Sequence, residues 1–519
     1  MRFGYDADGL LTTAGALSLT RRSDNGLLQS DTLGVSGGSW SFDSRGALSS
    51  HTARASGSAL YSGHYVRDSL GRVTVATDTI QGAVLSRAFT YDSAGRVSSA
   101  TENGTLVRTY GYDANGNRTS LTGPGLSLSG GYDAQDRLLT YGTATYTYDR
   151  DGSLTLKVVG LDTTRYVYDA LGNLLNVTLP DATVIEYLVD AQNRRIGRKV
   201  NGALQQAWLW QSQLAPTAEL DGSGAVVSRF VYATRPNVPD YLVKGGVTYR
   251  LVLDQLGSVR LVVNTADGTV AQRLDYDEFG RVTQNTNPGF QPFGYAGGMY
   301  EEQTGLVRFG LRDYDPVSGR WSSKEPLGFA GGFANLYTYA GNDPLSYVDP
   351  TGEVVVLAPL LWWVARGAVA GCVGGALESI LLQRLLQGCV DRGQVIKDCL
   401  IGAIGGAFGG ALKGLQGLRA LGRSRTFFRG VGLDELADIR ATNALRLKPG
   451  GAEGKYFTNT IEAAAKWGAR NPEGFGVIEA RFPSSVAGQF ESLGRIDAIG
   501  EAWVARADAL VHATVRIVR

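Results

Sequence analysis

Three short stretches near the carboxyl terminus carry side chains that can form a reactive site. Arg429 follows two phenylalanines, Tyr456-Phe457-Thr458 precedes a helical pattern, and Glu501 precedes Ala-Trp-Val. A guanidinium offers a planar fork of donors for phosphate or ribose oxygens. A carboxylate can stabilise developing positive charge, and the aromatic pair can stack on a substrate ring. The alternative is structural: a surface Arg–Glu pair, core aromatics and the first turn of a helix.

Other reactive side chains are scarce. The chain has three histidines, His51, His64 and His512, and three cysteines without Cys-x-x-Cys spacing. This composition disfavours histidine-based catalysis, a multi-histidine metal centre, a zinc site and a disulfide framework. With 50 basic and 49 acidic residues the net charge is +1, which argues against general binding to nucleic acid or a membrane surface.

The three stretches belong to a segment, 425–519, that we interpret as a separate α+β domain. TFFRGVG predicts a strand, LDELADIRATNAL a helix and a turn, and GKYFTNTIEAAAKWGAR a strand that leads into a helix. Thr460 is placed to cap that second helix. GFGVIEARFP, GEAWVARADAL and VHATVRIVR predict further strands or sheet edges.

The order of an arginine, an aromatic–hydroxyl strand and a glutamate resembles the ADP-ribosyltransferase family, which includes toxin domains. The resemblance implies NAD as a substrate and no metal. It implies that Glu501, Arg429 and Thr458 are catalytic, and that Arg429, Tyr456, Phe457 and Thr458 bind NAD. Breaking the nicotinamide–ribose bond develops oxocarbenium character, which a carboxylate such as Glu501 can stabilise.

The acceptor of ADP-ribose stays open. Members that modify arginine usually have an acidic residue two positions before the catalytic glutamate, and this chain has Ile499 there. The acceptor is then another protein side chain, a nucleic-acid group or water. Water as acceptor would make the domain an NAD glycohydrolase.

One motif recurs through the first two thirds of the chain: Tyr-Asp, two further residues, and usually Gly at the fifth position. Copies begin at Tyr5, Tyr91, Tyr112, Tyr132, Tyr148, Tyr168, Tyr276 and Tyr314. Asp at the first and Gly at the fourth position of the turn suit a type I turn, and the flanking sequences alternate as half-buried strands do. A period of about 20 residues predicts stacked hairpins in one twisted sheet. We interpret the repeated Tyr and Asp as structural.

These repeats resemble the YD/RHS family of rearrangement-hotspot proteins, bacterial toxin shells and teneurins. The resemblance spans residues 1–352 and implies a mainly β spiral sheet that forms a hollow shell around a C-terminal cargo. We predict four segments: a YD/RHS repeat shell (1–304), an RHS-associated core that closes the shell (305–352), an apolar, Gly-rich helical linker (353–424) and the toxin domain (425–519).

The core segment ends in the sequence Asp-Pro-Thr-Gly. In the family that it resembles, two acidic residues cut the chain after such a DPxG turn. The implied self-cleavage site consists of Arg312, Asp313, Glu325, Gly352 and Glu353. Two carboxylates held close together share a proton, so that one acts as base and the other as acid.

Two residues of this site depart from the family pattern. The second acid is usually Asp and is Glu325 here, and the residue after the turn is usually Leu and is Glu353 here. The alternative to self-cleavage is that Asp313 and Glu325 cap turns and pair with Arg312 and Arg320.

The linker is apolar and rich in small residues. Val354–Ala365 and Gly367–Leu377 carry no charge, and neither reaches the length of about 18–20 residues of a membrane-spanning helix. Glycines four residues apart predict flat helix faces that allow close packing. We favour a helical hairpin packed inside the shell or onto the cargo; the alternative is transient contact of 354–412 with a target membrane.

Taken together, the patterns predict an RHS toxin that ADP-ribosylates a macromolecule, protein or RNA, in the cytoplasm of a target cell. The first residues, MRFGYDADGL, lack the pattern of a signal peptide. We therefore expect secretion or delivery by a dedicated apparatus, and an immunity protein in the producer. The alternatives are an NAD glycohydrolase toxin, or a structural or adhesive surface protein with an inactive tail.

Overall fold

The repeats form one antiparallel sheet of 28 strands, in which each strand pairs with the next along the chain. The computed structural model describes residues 2–353, 355–358, 424–442, 454–458, 460–469, 475–483, 491–496, 500–506 and 514–517. Two units are distinguished, 1–410 and 411–519.

The strands of the sheet are short and joined by tight turns. They are β1 (Phe3–Tyr5), β2 (Leu11–Ala14), β3 (Leu17–Arg21), β4 (Leu28–Leu33), β5 (Ser36–Phe42), β6 (Leu48–Ala55), β7 (Ser58–Arg67), β8 (Val73–Ile80), β9 (Ala83–Tyr91), β10 (Val97–Glu102), β11 (Thr105–Tyr112), β12 (Arg118–Gly123), β13 (Leu126–Tyr132), β14 (Leu138–Tyr141), β15 (Ala144–Tyr148), β16 (Leu154–Val159), β17 (Asp162–Tyr168), β18 (Leu174–Thr178), β19 (Val184–Val189), β20 (Arg195–Val200), β21 (Ala203–Trp210), β22 (Pro216–Asp221), β23 (Val226–Val231), β24 (Tyr241–Lys244), β25 (Val247–Leu253), β26 (Val259–Asn264), β27 (Val270–Tyr276) and β28 (Val282–Asn285).

The Tyr-Asp motif makes the turns between these strands, as the turn between β9 and β10 illustrates. The Asp92 Oδ1 atom accepts hydrogen bonds from the backbone N–H groups of Ala94 and Arg96, at 3.0 and 2.9 Å. The Gly95 N–H donates to the Asp92 carbonyl at 3.0 Å, and Gly95 has a φ of +83°, which glycine adopts without steric cost. Asp and Gly are therefore required by the turn itself.

The other residues of the motif connect one repeat to the next. Arg96 donates from Nη1 to the carbonyl of Asp113 in the following turn, at 2.8 Å, and its guanidinium lies 4.7 Å from the ring centre of Tyr112. The Tyr112 hydroxyl donates to the carbonyl of Val97 in the preceding repeat, at 2.9 Å. Each repeat thus satisfies polar groups of its neighbours, which explains a motif that returns at every second strand.

The sheet coils, so that strands distant in sequence face each other. The Arg260 guanidinium on β26 binds Asp78 on β8 at 2.9 Å, and the Val35 N–H donates to the Thr265 carbonyl at 2.9 Å. Both charged partners are buried. Removing one partner of such a pair leaves a buried charge without compensation, so these pairs fix which strands meet.

A segment of short elements follows the sheet and packs aromatic side chains against it. Its elements are β29 (Met299–Tyr300), β30 (Val307–Phe309), β31 (Arg312–Asp315), β32 (Arg320–Trp321), β33 (Tyr347–Val348), β34 (Val356–Leu357) and 3₁₀ turns at Tyr295–Gly297, Gly328–Gly331 and Ala340–Asn342. Tyr314, Trp321 and Tyr339 are fully buried, and the rings of Tyr314 and Tyr339 lie 4.3 Å apart. Phe309 of β30 and Tyr314 of β31 belong to the same buried cluster, so this core supports both strands.

The second unit is an α+β domain. Its strands are β35 (Ser424–Gly432), β36 (Gly454–Thr458), β37 (Phe475–Pro483), β38 (Glu491–Ile496), β39 (Gly500–Arg506) and β40 (Thr514–Ile517), and its helices are α1 (Leu433–Thr442) and α2 (Ile461–Gly468). The strand order is β38-β39-β36-β35-β37-β40. The Thr460 hydroxyl accepts from the Ala463 N–H at 3.1 Å, which is the predicted cap of α2.

The predicted fold class is confirmed: a large, mainly β repeat sheet precedes an α+β domain. The predicted helical linker, with its cysteines and its possible membrane contact over 354–412, lies almost entirely outside the described residues. Within the described part of the chain, no helix is long and apolar enough to cross a membrane.

Candidate functional site

The DPTG turn packs directly onto the hairpin between β30 and β31. The Leu311 N–H donates to the Thr351 carbonyl at 2.9 Å. Gly310, with a φ of +44°, lies so close that a Cβ atom would meet the Thr351 oxygen at 2.1 Å. A Cβ on Gly352 would meet the carbonyl oxygen of Phe309 at 2.5 Å. Both glycines are needed for this close approach of two backbones.

Arg312, the first residue of β31, connects the turn to two acidic residues. Its Nε donates to the carbonyl oxygen of Gly352 at 2.5 Å. Its Nη2 binds Glu325 at 2.7 Å and Asp349 at 3.2 Å. The guanidinium is buried and lies 4.0 Å from the ring centre of Trp321. One fixed cation therefore contacts the carbonyl of the predicted cleavage point and two carboxylates.

The protonation of Glu325 is strongly perturbed by its surroundings. Burial, with a smaller contribution from the carboxylates of Asp349 and Glu353, raises the pKa of Glu325 to about 7 against the opposing effect of Arg312. A carboxyl group with this pKa exchanges protons near neutral pH, as a general base or acid must. Three acidic residues surround one arginine, which leaves the site with excess negative charge.

Asp349, the first residue of the DPTG turn, was not among the predicted site residues. Its Oδ1 accepts from the N–H of Glu353 and from the hydroxyl of Thr351, both at 3.1 Å. It is completely buried. In the sequence this residue is visible only as part of a turn motif. It could have been identified because the carboxylate of an Asx turn accepts hydrogen bonds from the N–H groups that follow it.

Asp313 lies next to Arg312 but takes part in a different cluster. Its carboxylate binds Nη2 of Arg195 at 3.0 Å and Nη1 of Arg308 at 2.8 Å. Neighbouring residues of a strand point to opposite faces, which accounts for the separation from Arg312. The structure thus brings together Arg312, Glu325, Gly352 and Glu353, and it places the carboxylate of Asp313 in a buried pair of arginines.

The alternative to self-cleavage was that Asp313 and Glu325 pair with Arg312 and Arg320. Glu325 does pair with Arg312. Arg320 instead donates to the side chain of Asn117 at 2.8 Å and to the carbonyl of Asp136.

In the second unit, the strands that carry Arg429, Thr458 and Glu501 are neighbours. Phe428 on β35 pairs with Thr458 on β36, and Thr458 pairs with Ala502 on β39. Arg429 and Glu501 each lie one residue from this line of paired positions. The backbone therefore brings the three predicted residues to one region of the sheet.

The side chains of Arg429 and Thr458 have partners within the domain. Arg429 binds Glu435 of α1 through Nε at 3.3 Å and Nη2 at 3.0 Å, and Lys455 binds the same carboxylate. Burial disfavours the charged form of Glu435, but the hydrogen bonds from Arg429 and Lys455 outweigh it and lower its pKa. The Thr458 hydroxyl donates to the carbonyls of Phe428 and Thr460, at 3.3 and 3.1 Å.

The two predicted aromatic residues are adjacent on β36. Phe457 is completely buried and lies against Phe427, with ring centres 6.3 Å apart. Tyr456 pairs through its backbone with Val504. Within the described residues, no group of three His, Cys, Asp or Glu side chains is arranged to hold a metal ion.

The repeat sheet and the segment that follows it match a known family. The model of the teneurin YD-shell matches residues 1–345. The chain belongs to the teneurin YD-shell family. Teneurin-3 of Danio rerio is 26% identical to it over 320 residues, which are 58% of this chain and 11% of that relative.

Two bacterial toxins are also similar to this chain in sequence. The toxin protein Tse5 of Pseudomonas aeruginosa is 27% identical over 390 residues, 62% of this chain and 29% of the relative. The double-stranded DNA deaminase toxin A of Burkholderia cenocepacia is 30% identical over 328 residues, 56% of this chain and 22% of the relative. The chain thus spans less than a third of the length of these relatives.

Among solved structures, the crystal structure of TcdB2-TccC3-TEV has a similar fold. Its TM-score is 0.50 at 20% sequence identity, and the match covers 68% of this chain and 20% of that one. The likeness supports the YD-shell fold of the first unit.

Proposed function

We propose that this chain is a YD-shell toxin that cuts itself between Gly352 and Glu353 and so releases the domain that follows. The observation that carries the proposal is the buried contact of Arg312 Nε with the Gly352 carbonyl, while Nη2 of the same guanidinium binds Glu325. A preorganised donor on a carbonyl oxygen stabilises the oxyanion that forms when that carbonyl is attacked. The kinship with two toxins supports a releasable cargo.

In this mechanism Glu325 is the general base. With a pKa of about 7, a large share of Glu325 is ionised at neutral pH and yet basic enough to take a proton from water. The resulting hydroxide attacks the Gly352 carbon, and Arg312 holds the oxygen that becomes negative. The burial of the site strengthens each of these electrostatic interactions.

The test is cell-free synthesis of the full chain, followed by denaturing electrophoresis over time. The wild-type chain is expected to yield two fragments, and Glu325→Gln, which keeps the size but not the basicity, to slow the cut by about 100-fold or more. Glu302→Gln is the matched control, because Glu302 also has a raised pKa but lies outside this cluster. A wild-type chain that stays in one piece contradicts the proposal.

We propose further that the released domain is an ADP-ribosyltransferase that uses NAD. The support is the register that sets Arg429 and Glu501 within one residue of the paired positions Phe428, Thr458 and Ala502. In this proposal a phosphate group of NAD displaces Glu435 from the guanidinium of Arg429. The planar fork of donors of a guanidinium is suited to binding phosphate. The carboxylate of Glu501 then stabilises the oxocarbenium-like ribose.

Labelled NAD separates the candidate functions of the full chain. Transfer of label to a macromolecule of a cell lysate supports ADP-ribosylation, and release of free ADP-ribose supports an NAD glycohydrolase. The absence of both label transfer and free ADP-ribose would favour a structural or adhesive surface protein. As a toxin, the chain would be delivered by a secretion apparatus, act in the target-cell cytoplasm and be neutralised in its producer by an immunity protein.

A further inference from the structure

His51 of β6 is a buried histidine at the place where the coiled sheet meets itself. We call this place the seam: there β4 to β8 and their turns meet β25, β26 and the turn that follows β26. The Nδ1 atom of His51 lies 3.2 Å from the carbonyl oxygen of Leu253, the last residue of β25, and Nε2 is buried without a hydrogen-bond partner. A carbonyl oxygen can only accept, so Nδ1 carries the proton of the neutral ring and Nε2 carries none. A second proton, on Nε2, would have no acceptor.

Apolar and aromatic side chains enclose His51 at the seam. The ring of His51 stacks on Trp40 of β5, with ring centres 4.6 Å apart and an interplanar angle of 11°, and its centre lies 5.7 Å from that of Tyr61 on β7. The imidazole therefore has almost no access to water while the seam is closed. A buried cluster joins the two sides of the seam and consists of Ala53, Ala55, Tyr61, Ile80, Val252, Leu261 and Val263.

The charged groups that act on His51 are cations. They are Arg250 of β25 and Arg235, which lies between β23 and β24. The buried carboxylates of this region already have partners, because Asp31 of β4 binds Arg250 and Asp78 of β8 binds two other guanidinium groups. Burial, together with the two cations, lowers the pKa of His51 from 6.5 to about 3, against the opposing effect of the hydrogen bond to the main chain. Protonation would thus add a third positive charge to a buried site.

We propose that His51 makes the YD-shell acid-sensitive: in an acidic compartment its protonation opens the seam and so loosens the coil of the sheet. This inference depends neither on self-cleavage nor on the activity of the domain that follows. Opening exposes the imidazole to water, where its pKa returns to about 6.5. Because the pKa is lower in the closed form, the open form binds more protons below pH 6.5. The contribution of His51 to closure is therefore fully present above about 6.5 and is lost as pH falls towards 3.

The size of the effect follows from this difference in pKa. Between the two values, each unit of pH changes the ratio of open to closed seam about tenfold, so a fall from pH 7.5 to pH 5 raises it about 30-fold through His51 alone. Asp31 acts in the opposite direction, because burial raises its pKa and protonation then favours the closed form. The difference between the wild-type chain and a variant without the histidine isolates the contribution of His51.

Hydrogen exchange of the full chain, followed by mass spectrometry between pH 7.5 and pH 5, measures the opening. The Val35 N–H donates across the seam to the Thr265 carbonyl at 2.9 Å, so it exchanges when the two sides separate. Its rate at each pH, divided by the intrinsic rate, gives the ratio of open to closed seam. From pH 7.5 to pH 5, we expect this ratio to rise about 30-fold more in the wild-type chain than in His51→Gln. His64→Gln is the matched control, because His64 is exposed on the neighbouring strand β7, and it should respond as the wild type does.

A second variant, His51→Phe, separates ionisation from packing. Phenylalanine keeps a ring against Trp40 but takes no proton, so the additional response to pH should be lost in this variant as in His51→Gln. A merely structural histidine would instead leave each variant less protected by the same factor at every pH. The proposal is overturned if a folded His51→Gln or His51→Phe chain keeps the wild-type dependence on pH, or if the Val35 N–H exchanges only when the whole sheet unfolds.

Discussion

The Nε atom of Arg312 donates a hydrogen bond to the main-chain carbonyl oxygen of Gly352 at 2.5 Å. Forty residues of sequence separate the two, and the contact depends on the close packing of the β30–β31 hairpin onto the DPTG turn. This carbonyl belongs to the peptide bond between residues 352 and 353. The contact therefore distinguishes that bond from the other peptide bonds of the segment.

The first prediction concerns the shape of the guanidinium. Arg312→Lys keeps one positive charge but cannot bind the Gly352 carbonyl, Glu325 and Asp349 together in the same planar geometry. Loss of an oxyanion donor costs roughly 100- to 1,000-fold in rate. The rate of appearance of the two fragments measures the effect. Cutting at the wild-type rate by a folded Arg312→Lys chain would remove Arg312 from the mechanism.

The second prediction concerns pH. As a general base, Glu325 acts in its ionised form, so cutting should accelerate as pH rises through about 7 and level off above it. The charged groups that act on Glu325 are Arg312, Asp349 and Glu353. Glu353→Gln removes one negative charge from this cluster. It should therefore lower the pKa of Glu325 and move the midpoint of the pH–rate profile to lower pH.

The same shift has a consequence for stability. The pKa of Glu325 is raised in the folded chain, from 4.5 to about 7, so the folded state binds more protons than the unfolded state between these values. The contribution of Glu325 to stability is fully present below the lower value and is lost as pH rises through the upper one. Both chains compared carry Arg312→Lys, so that they stay largely uncut during the measurement. The thermal unfolding temperature of Arg312→Lys should depend on pH in this way, and that of the double variant Arg312→Lys,Glu325→Gln should not. An identical dependence in both chains would contradict the shift.

The third prediction tests the repeat motif. Tyr112→Phe removes the hydroxyl that donates to the Val97 carbonyl and leaves that carbonyl without its partner. We expect a loss of about 1 kcal/mol in the free energy of unfolding, measured by chemical denaturation. Tyr5→Phe is the matched control, because Tyr5 is 63% exposed at the start of the sheet, and it should change little.

The fourth prediction concerns the released domain. Glu501→Gln keeps nearly the same volume and loses the charge, so NAD-dependent activity and toxicity in a bacterium should fall by about 100-fold or more at equal protein level. Glu501→Asp should also fail, because the shorter side chain misplaces the carboxylate. Arg429→Lys should weaken NAD binding without a change in net charge. A folded, equally abundant and fully toxic Gln variant would show that Glu501 is not catalytic.

Much of the fold follows from the sequence, because the repeat motif is a local device. The side chain of Asp92 and the positive φ of Gly95 form a turn without help from distant residues. The alternation of apolar and polar residues then predicts the strands on either side. Which distant strands meet was not predictable, because buried pairs such as Arg260 with Asp78 join residues that no local pattern connects.

The candidate site was predicted in part. Arg312, Glu325 and the DPTG turn meet as expected. The partner of Asp313 could not be inferred, since Arg195 and Arg308 reach it from other parts of the fold. The contact of Asp349 with the Glu353 N–H could not be predicted for a different reason. Aspartate is common in turns, so its presence in the DPTG turn did not distinguish it from other turn residues.

The most direct test of the central claim is the identity of the cut ends. The full chain is synthesised in a cell-free system, and its products are analysed by intact mass measurement and N-terminal sequencing. The self-cleavage account predicts one fragment that ends at Gly352 and one that begins at Glu353, and both should form about 100-fold more slowly from Glu325→Gln. A single uncut chain, or a cut at another peptide bond, would contradict it.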